Sequence, residues 1–161
     1  MQRTVIAVFG AGRLAATDPA WALAEEVGRL IARADCVLLT GGLGGVMEAA
    51  SKGAREAGGL TLGIIPSDRR AGPQPNPYVD IAVYTGMGEA RNTINVKSCE
   101  AAIAIGGEYG TLSEIALALK IGCPLVLLDS WRFERHGVER GWLSAENAEE
   151  AVRLALQAVG R

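Results

Sequence analysis

The stretch GGEYGTLSE, Gly106 to Glu114, joins an apolar run to an amphipathic one. Glycines followed by a hydroxyl residue at the start of a helix suit a phosphate, because free backbone N–H groups and the positive end of the helix dipole converge there. Glu114 adds a carboxylate to the same turn, and two readings follow. In one, T-x-x-E is a capping box, with Thr111 capping a helix N–H and Glu114 reaching back to the N-cap N–H. In the other, an anion sits over Gly106, Gly107, Gly110 and Thr111, and Glu114 faces another part of the same ligand. Arg91, in GMGEARN, favours the second. It too falls near a helix start, where a cation is disfavoured by about 0.3–1 kcal/mol, and an anionic ligand would remove that penalty.

Three further glycine-bearing turns follow apolar runs: GAGR with Gly10, Gly12 and Arg13, TGGLGG with Gly41, Gly42, Gly44 and Gly45, and TGMGEARN with Gly88, Arg91 and Asn92. Ligands of open α/β sheets bind beyond the carboxyl ends of the strands, where the order of winding reverses. Four such turns together point to a phosphorylated or nucleotide-like ligand. A dinucleotide fits less well: GAGRLA lacks the third glycine in register, and no acidic residue ends the second apolar run to hold a ribose.

The elements that must carry these turns follow from periodicity. Short runs rich in Val, Ile and Leu alternate with stretches of helical period, the pattern of a parallel sheet covered on both faces. Strands are expected at Thr4 to Phe9, Cys36 to Thr40, Leu60 to Ile65, Asp80 to Tyr84, Ala101 to Ile105 and Pro124 to Leu128. Asp18 and Pro19 form an N-cap and first-turn pair, and Leu23, Val27, Leu30, Ile31 and Ala34 then share one helical face. The next helix, Val46 to Ala57, offers Ala49, Ala50, Gly53, Ala54 and Ala57 on its apolar side, which implies close approach to the sheet or to a second subunit. A helix with Leu112, Ile115, Ala116 and Leu119 inward ends at Gly122 and Pro124. A last helix is expected from near Ser144, with Ala148, Val152, Ala155 and Val159 inward. The fold class is therefore α/β, one Rossmann-like three-layer domain over residues 1–161 with a parallel sheet of six or seven strands. Its expected central order is 3-2-1-4-5-6. The segment Pro66 to Pro77 is too long and polar for a minimal connector, and reads as an active-site flap or an irregular surface loop.

Composition narrows the partners. The 161 residues hold 16 Lys and Arg against 18 Asp and Glu, a net charge of −2, and the basic residues are scattered. That leaves no electrostatic footprint for nucleic acid or an anionic membrane. Cys36, Cys99 and Cys123 lie in or beside apolar runs without C-x-x-C spacing, and read as reduced thiols of a cytoplasmic protein. With His136 the single histidine, no metal site is expected. His136 reads as a solvated loop residue, Trp131 and Trp142 as packing anchors, and Glu48 as helix capping or surface charge.

Taken in order, TGGLGGVMEAASKGA, GEARN and GGEYGTLSE resemble the LONELY GUY phosphoribohydrolase superfamily, once widely labelled lysine decarboxylases, and within it most closely the molybdenum cofactor carrier branch. The likeness runs from the first strand to the sixth. In the hydrolases the signature is PGGxGTxxE with an upstream arginine followed by lysine, and the arginine and glutamate are the catalytic pair. The resemblance thus implies Gly106, Gly107, Gly110 and Thr111 as the phosphate cradle, with Arg91 and Glu114 as that pair if the protein is a hydrolase. Ile105 stands where the hydrolases have proline and Asn92 where they have lysine, and both departures resemble the carrier branch. The function implied is a carrier or binding protein for a small phosphorylated ligand, molybdopterin or a nucleoside monophosphate. The alternative is a nucleoside 5′-monophosphate phosphoribohydrolase. No cofactor is required for either, though molybdopterin is a candidate cargo, and the resemblance implies a homodimer or tetramer. Decarboxylase chemistry has no support, since none of Lys52, Lys97 and Lys120 lies in a recognisable context for a Schiff base.

Overall fold

The computed structural model describes residues 2–134, 136–137 and 141–161. Its seven strands are β1 (Val5–Gly10), β2 (Val37–Thr40), β3 (Thr61–Ile65), β4 (Ile81–Tyr84), β5 (Ala101–Ile105), β6 (Leu125–Leu128) and β7 (Leu143–Ala145). Between them run α1 (Pro19–Arg33), α2 (Val46–Glu56), α3 (Asn92–Lys97), α4 (Tyr109–Ile121) and α5 (Ala148–Ala158). A single 3₁₀ turn, Gly88–Arg91, leads directly into α3.

All strands pair in parallel in one sheet of order β4-β3-β2-β1-β5-β6-β7. This corrects the expected 3-2-1-4-5-6 order. The fourth strand lies at the edge beside β3, and the fifth occupies the place beside β1, with Ile6 opposite Ala101 and Gly10 opposite Ile105. The reason is burial. Every residue of β5 is enclosed, as a strand covered on both faces must be, whereas β4 alternates exposed and half-buried positions, with Ile81 and Val83 open to solvent. The winding still reverses at β1, so the crevice lies between the carboxyl ends of β1 and β5.

Alternate strand residues feed two cores. Ile6, Val8, Leu38, Ile103 and Val126 pack beneath α1, α2 and α5, while Ala7, Phe9, Leu39, Ala104 and Leu127 pack beneath α3 and α4. Asp18 caps α1 by accepting from the Ala20 N–H at 2.8 Å, with Pro19 in the first turn, as the sequence predicts. The small face of α2 meets α1. A Cβ on Gly28 would fall onto the Ala50 carbonyl, and one on Gly53 onto the Glu25 carbonyl. The neighbour that explains those small residues is thus a helix of the same chain. Ser144 does not open the last helix: it lies in β7, and Asn147 caps α5 by accepting from the Glu150 N–H at 2.9 Å.

Candidate functional site

The turns after β1 and β2, the 3₁₀ turn and the first turn of α4 enclose a cavity of about 190 Å³. Gly10, Gly12 and Gly41 form one wall, Arg91 and Asn92 a second, and Gly110, Thr111 and Glu114 a third. These eight sequence-predicted residues, drawn from four separate turns, meet in one place.

Seven others do not line it. Gly42, Gly44 and Gly45 build the turn behind the wall, where the Gly42 N–H donates to Thr40 Oγ1 at 3.0 Å. Gly88 opens the 3₁₀ turn, its N–H donating to the Pro66 carbonyl at 2.9 Å. Arg13 is exposed beyond the β1 turn. Gly106 and Gly107 border a neighbouring recess of about 260 Å³ with Asp129, Ser130 and Trp131. Gly107, at φ 97°, leaves the space into which the Thr111 side chain folds.

The capping box does not form. Helix α4 begins at Tyr109 with Glu108 at the N-cap, which makes no side-chain capping bond, so Thr111 lies inside the first turn. Glu114 instead accepts through Oε1 from Asn95 Nδ2 at 2.8 Å, a bond between two buried side chains. A partner on α3 takes the role that the local pattern assigned to the helix's own backbone.

Arg91 is 7% exposed, and its Nε is enclosed without a hydrogen-bond partner. Among the described residues no carboxylate comes within ion-pairing distance of it. Burial lowers its pKa, partly offset by attraction to Glu114 and Glu89. Its two terminal nitrogens occupy space that the missing Cβ of Gly41 leaves open. Burial also pushes the Glu114 carboxyl up to about 7, against the lowering influence of the Asn95 hydrogen bond and the Arg91 charge. The cavity therefore pairs an incompletely neutralised cation with a carboxyl poised near neutrality. A desolvated cation of this kind is stabilised by an anion at hydrogen-bond distance.

Sequence reasoning missed Met47 and Glu89, which complete the lining with Val8 and Phe9 of β1, and Asn95 and Asn76, which act from behind it. Asn76, in the Pro66 to Pro77 segment, donates through Nδ2 to the carbonyls of Gly42 at 3.2 Å and Leu43 at 2.8 Å. That ties the proline-rich segment to the TGGLGG turn. Asn95 had a legible signal, its position four residues after Arg91. Asn76 had none. His136 lies in an exposed turn. Trp142 stacks on Phe133 at 4.6 Å and Trp131 packs near Tyr109 at 6.0 Å. Among the described residues no group of three His, Cys, Asp or Glu gathers as metal ligands, and no helix is long and apolar enough to cross a membrane.

A doubly wound parallel sheet with Arg91 and Glu114 in a cavity at its point of reversal defines a Rossmann-like α/β protein. The chain belongs to the SLOG cluster4 family, whose profile covers residues 3–155. It is 48% identical over 156 residues to an uncharacterised protein of Archaeoglobus fulgidus, a match spanning 97% of each chain. It is similar to the molybdenum cofactor binding protein of Rippkaea orientalis, at 39% identity and TM-score 0.86 over 99% of both chains. It also resembles the molybdenum cofactor carrier protein of Chlamydomonas reinhardtii, at 32% identity and TM-score 0.83 over 99% of this chain and 100% of that one.

Proposed function

We propose that this protein is a carrier that binds the molybdenum cofactor by its phosphorylated end, in the cavity between the β1 and β5 turns. The observation that carries the reading is the buried guanidinium of Arg91, which lacks an ion-pair partner among the described residues while its terminal nitrogens lie against Gly41. A phosphate there would supply the missing negative charge and accept from the fork of N–H groups. Similarity to two cofactor-binding proteins along nearly the whole chain supports the choice of cargo. The cavity lining contains neither a cysteine nor a histidine, so it would hold such a cargo by its phosphate rather than through the metal. At about 190 Å³ it is smaller than the roughly 300–1,000 Å³ of sites that enclose a drug-sized ligand, so it takes the anionic head and leaves the rest outside.

The carboxyl of Glu114, pushed up to about 7 in the same cavity, favours a second reading, hydrolysis of a nucleoside 5′-monophosphate to free base and ribose phosphate. There the carboxylate would stabilise oxocarbenium character at C1′ or activate water. The absence of the hydrolase proline and lysine, replaced by Ile105 and Asn92, makes it the lesser one. A homodimer or tetramer in the cytoplasm belongs to the same proposal. The superfamily resemblance supports the assembly, and the free cysteines suit a reducing compartment.

The test is retention of molybdopterin by the pure protein, run beside thermal-shift titrations with AMP and inorganic phosphate. A ligand at 100 times its Kd adds about 2.7 kcal/mol of stability. Retention lost in Arg91→Ala supports the carrier. Adenine released from AMP by the parent, and not by Glu114→Gln, would replace it with the hydrolase. No retention of molybdopterin together with no stabilisation by AMP or phosphate ends both readings.

A further inference from the structure

Glu114 is held from behind by a residue outside the glycine turns. Asn95 follows Arg91 by one helical turn, is fully enclosed, and donates through Nδ2 to Oε1 of Glu114. Among the described residues no group donates to Oε2, yet Oε2 is not one of the enclosed unpartnered atoms, so it opens into the cavity that Glu114 lines. One carboxylate oxygen is committed and the other is presented. The charged groups facing this carboxyl are Arg91 and Glu89 from the 3₁₀ turn, acting with opposite sign, and Asn95 is the neutral donor from α3. An ionised carboxylate only accepts hydrogen bonds, while a protonated one also donates, so the group that holds its charge state decides which ligand atoms can face it.

We propose that Asn95 is a positioning residue of this site: its amide fixes Glu114 so that Oε2 meets the ligand as an acceptor. The cavity thereby selects a molecule carrying an N–H or O–H donor beside its anionic group. A donor placed on one oxygen favours the ionised form, because the hydrogen bond is stronger to a carboxylate than to a neutral acid. The amide also restrains the rotamer, since Glu114 cannot turn without leaving both partners unpaired in a buried setting. A second amide link joins the same two helices. Asn92 Nδ2 donates to Ser113 Oγ at 3.0 Å, and that hydroxyl donates to the Gly110 carbonyl at 2.6 Å. This second link touches neither oxygen of Glu114, so it separates a structural tie between α3 and α4 from control of the carboxylate.

The inference rests on the cavity being the ligand site, but its first measurement needs no ligand. The full-length protein with carbon-13 in its glutamate carboxyls is titrated by NMR, with the Glu114 resonance assigned from Glu114→Gln. The parent midpoint is expected near 7. Asn95→Ala should raise it by about one pH unit, a tenfold gain in proton affinity. Asn95→Asp keeps the size of the side chain and replaces the donor by a second acid, so it should raise the midpoint at least as far, and it serves if the alanine variant does not fold. Ser113→Ala should leave it in place. A midpoint unmoved by either Asn95 variant, or moved equally by Ser113→Ala, overturns the proposal. In the binding arm, AMP, which carries hydroxyl donors beside its phosphate, should lose its advantage over inorganic phosphate in Asn95→Ala. Failure of both AMP and inorganic phosphate to bind the parent would count against the anion site of the proposed function, while the titration would still decide the role of Asn95.

Discussion

Gly41 and Arg91 share one volume. An ideal Cβ on Gly41 would lie 2.7 Å from Nη2 of Arg91 and 2.7 Å from the Met47 sulfur, and nearer still to Nη1. The residue that follows β2 is therefore glycine because the guanidinium of another turn occupies the place of its side chain. Gly41→Ala should displace Arg91 without unfolding the protein, at a cost of about 1–3 kcal/mol for overpacking. We expect a modestly lower Tm together with loss of stabilisation by the anionic ligand. An unchanged response to ligand in Gly41→Ala would show that Arg91 does not hold the anion.

The proton equilibrium of Glu114 makes stability depend on pH with a definite sign. Its carboxyl has an ordinary value of 4.5 and lies near 7 when folded, so between those limits the folded chain binds more protons than the unfolded one. Stability contributed by this group is then fully present below about pH 4.5, falls as pH rises toward 7, and is level above; the fall is on the order of 3 kcal/mol. Glu114→Gln removes the dependence. The variant should match the parent near pH 4.5 and exceed it in Tm increasingly up to about pH 7, with a level difference beyond, as calorimetry from pH 4.5 to 8 would show. A difference constant with pH would contradict the buried carboxyl.

Helices α1 and α2 approach through Gly28 and Gly53, each facing a backbone carbonyl of the other helix. No rotamer change can relieve a clash with backbone. Gly53→Ala and Gly28→Ala should each destabilise by more than the ~1 kcal/mol that alanine gains over glycine within a helix. A loss of about 2–3 kcal/mol would lower Tm by roughly 4–12 °C in a chain of this size. Gly110→Ala provides the contrast in α4, since nothing lies within 4 Å of its ideal Cβ, and there the same substitution should hold or raise Tm. Equal behaviour of the three variants would refute the packing argument.

Asn76 links the proline-rich segment to the turn behind Gly41. Asn76→Ala removes the side-chain donor to the carbonyls of Gly42 and Leu43, together with the Oδ1 that accepts from the Tyr78 N–H. The Gly42 carbonyl keeps the backbone N–H of residue 76 at 2.8 Å, so the loss falls on the Leu43 carbonyl, and leaving such a group unpaired costs about 1–3 kcal/mol. Hydrogen exchange should quicken in the Thr40 to Gly45 turn and in residues 66–80 together, with α5 unaffected. Exchange confined to one of the two segments would mean that they are not coupled.

Local rules made much of this protein legible in its sequence. Asp18 and Pro19 place the start of α1 because a cap and a first-turn proline act within a few residues. Gly10, Gly41 and Arg91 stand out because glycines recur where apolar runs end, a spacing visible in the chain itself, although the contacts that exclude a side chain there, Val46 and Ile105 at Gly10 and Arg91 at Gly41, are distant in sequence. The resemblance carried by GEARN and GGEYGTLSE reached the family for a related reason, since an ordered set of turns survives without knowledge of how they meet. Where the deciding partner is distant, the pattern is silent. The T-x-x-E of Thr111 and Glu114 fits a capping box as well as a cavity wall, and the choice is made by Asn95, 19 residues away on another helix. Ile81 to Tyr84 reads as a strand like any other, but its place at the sheet edge depends on which strand is buried on both faces, and β5 takes the position beside β1. The tertiary structure alone decided these points, because burial and pairing are properties of the assembled sheet, and it is burial that leaves Arg91 short of negative charge and sets Glu114 near neutrality.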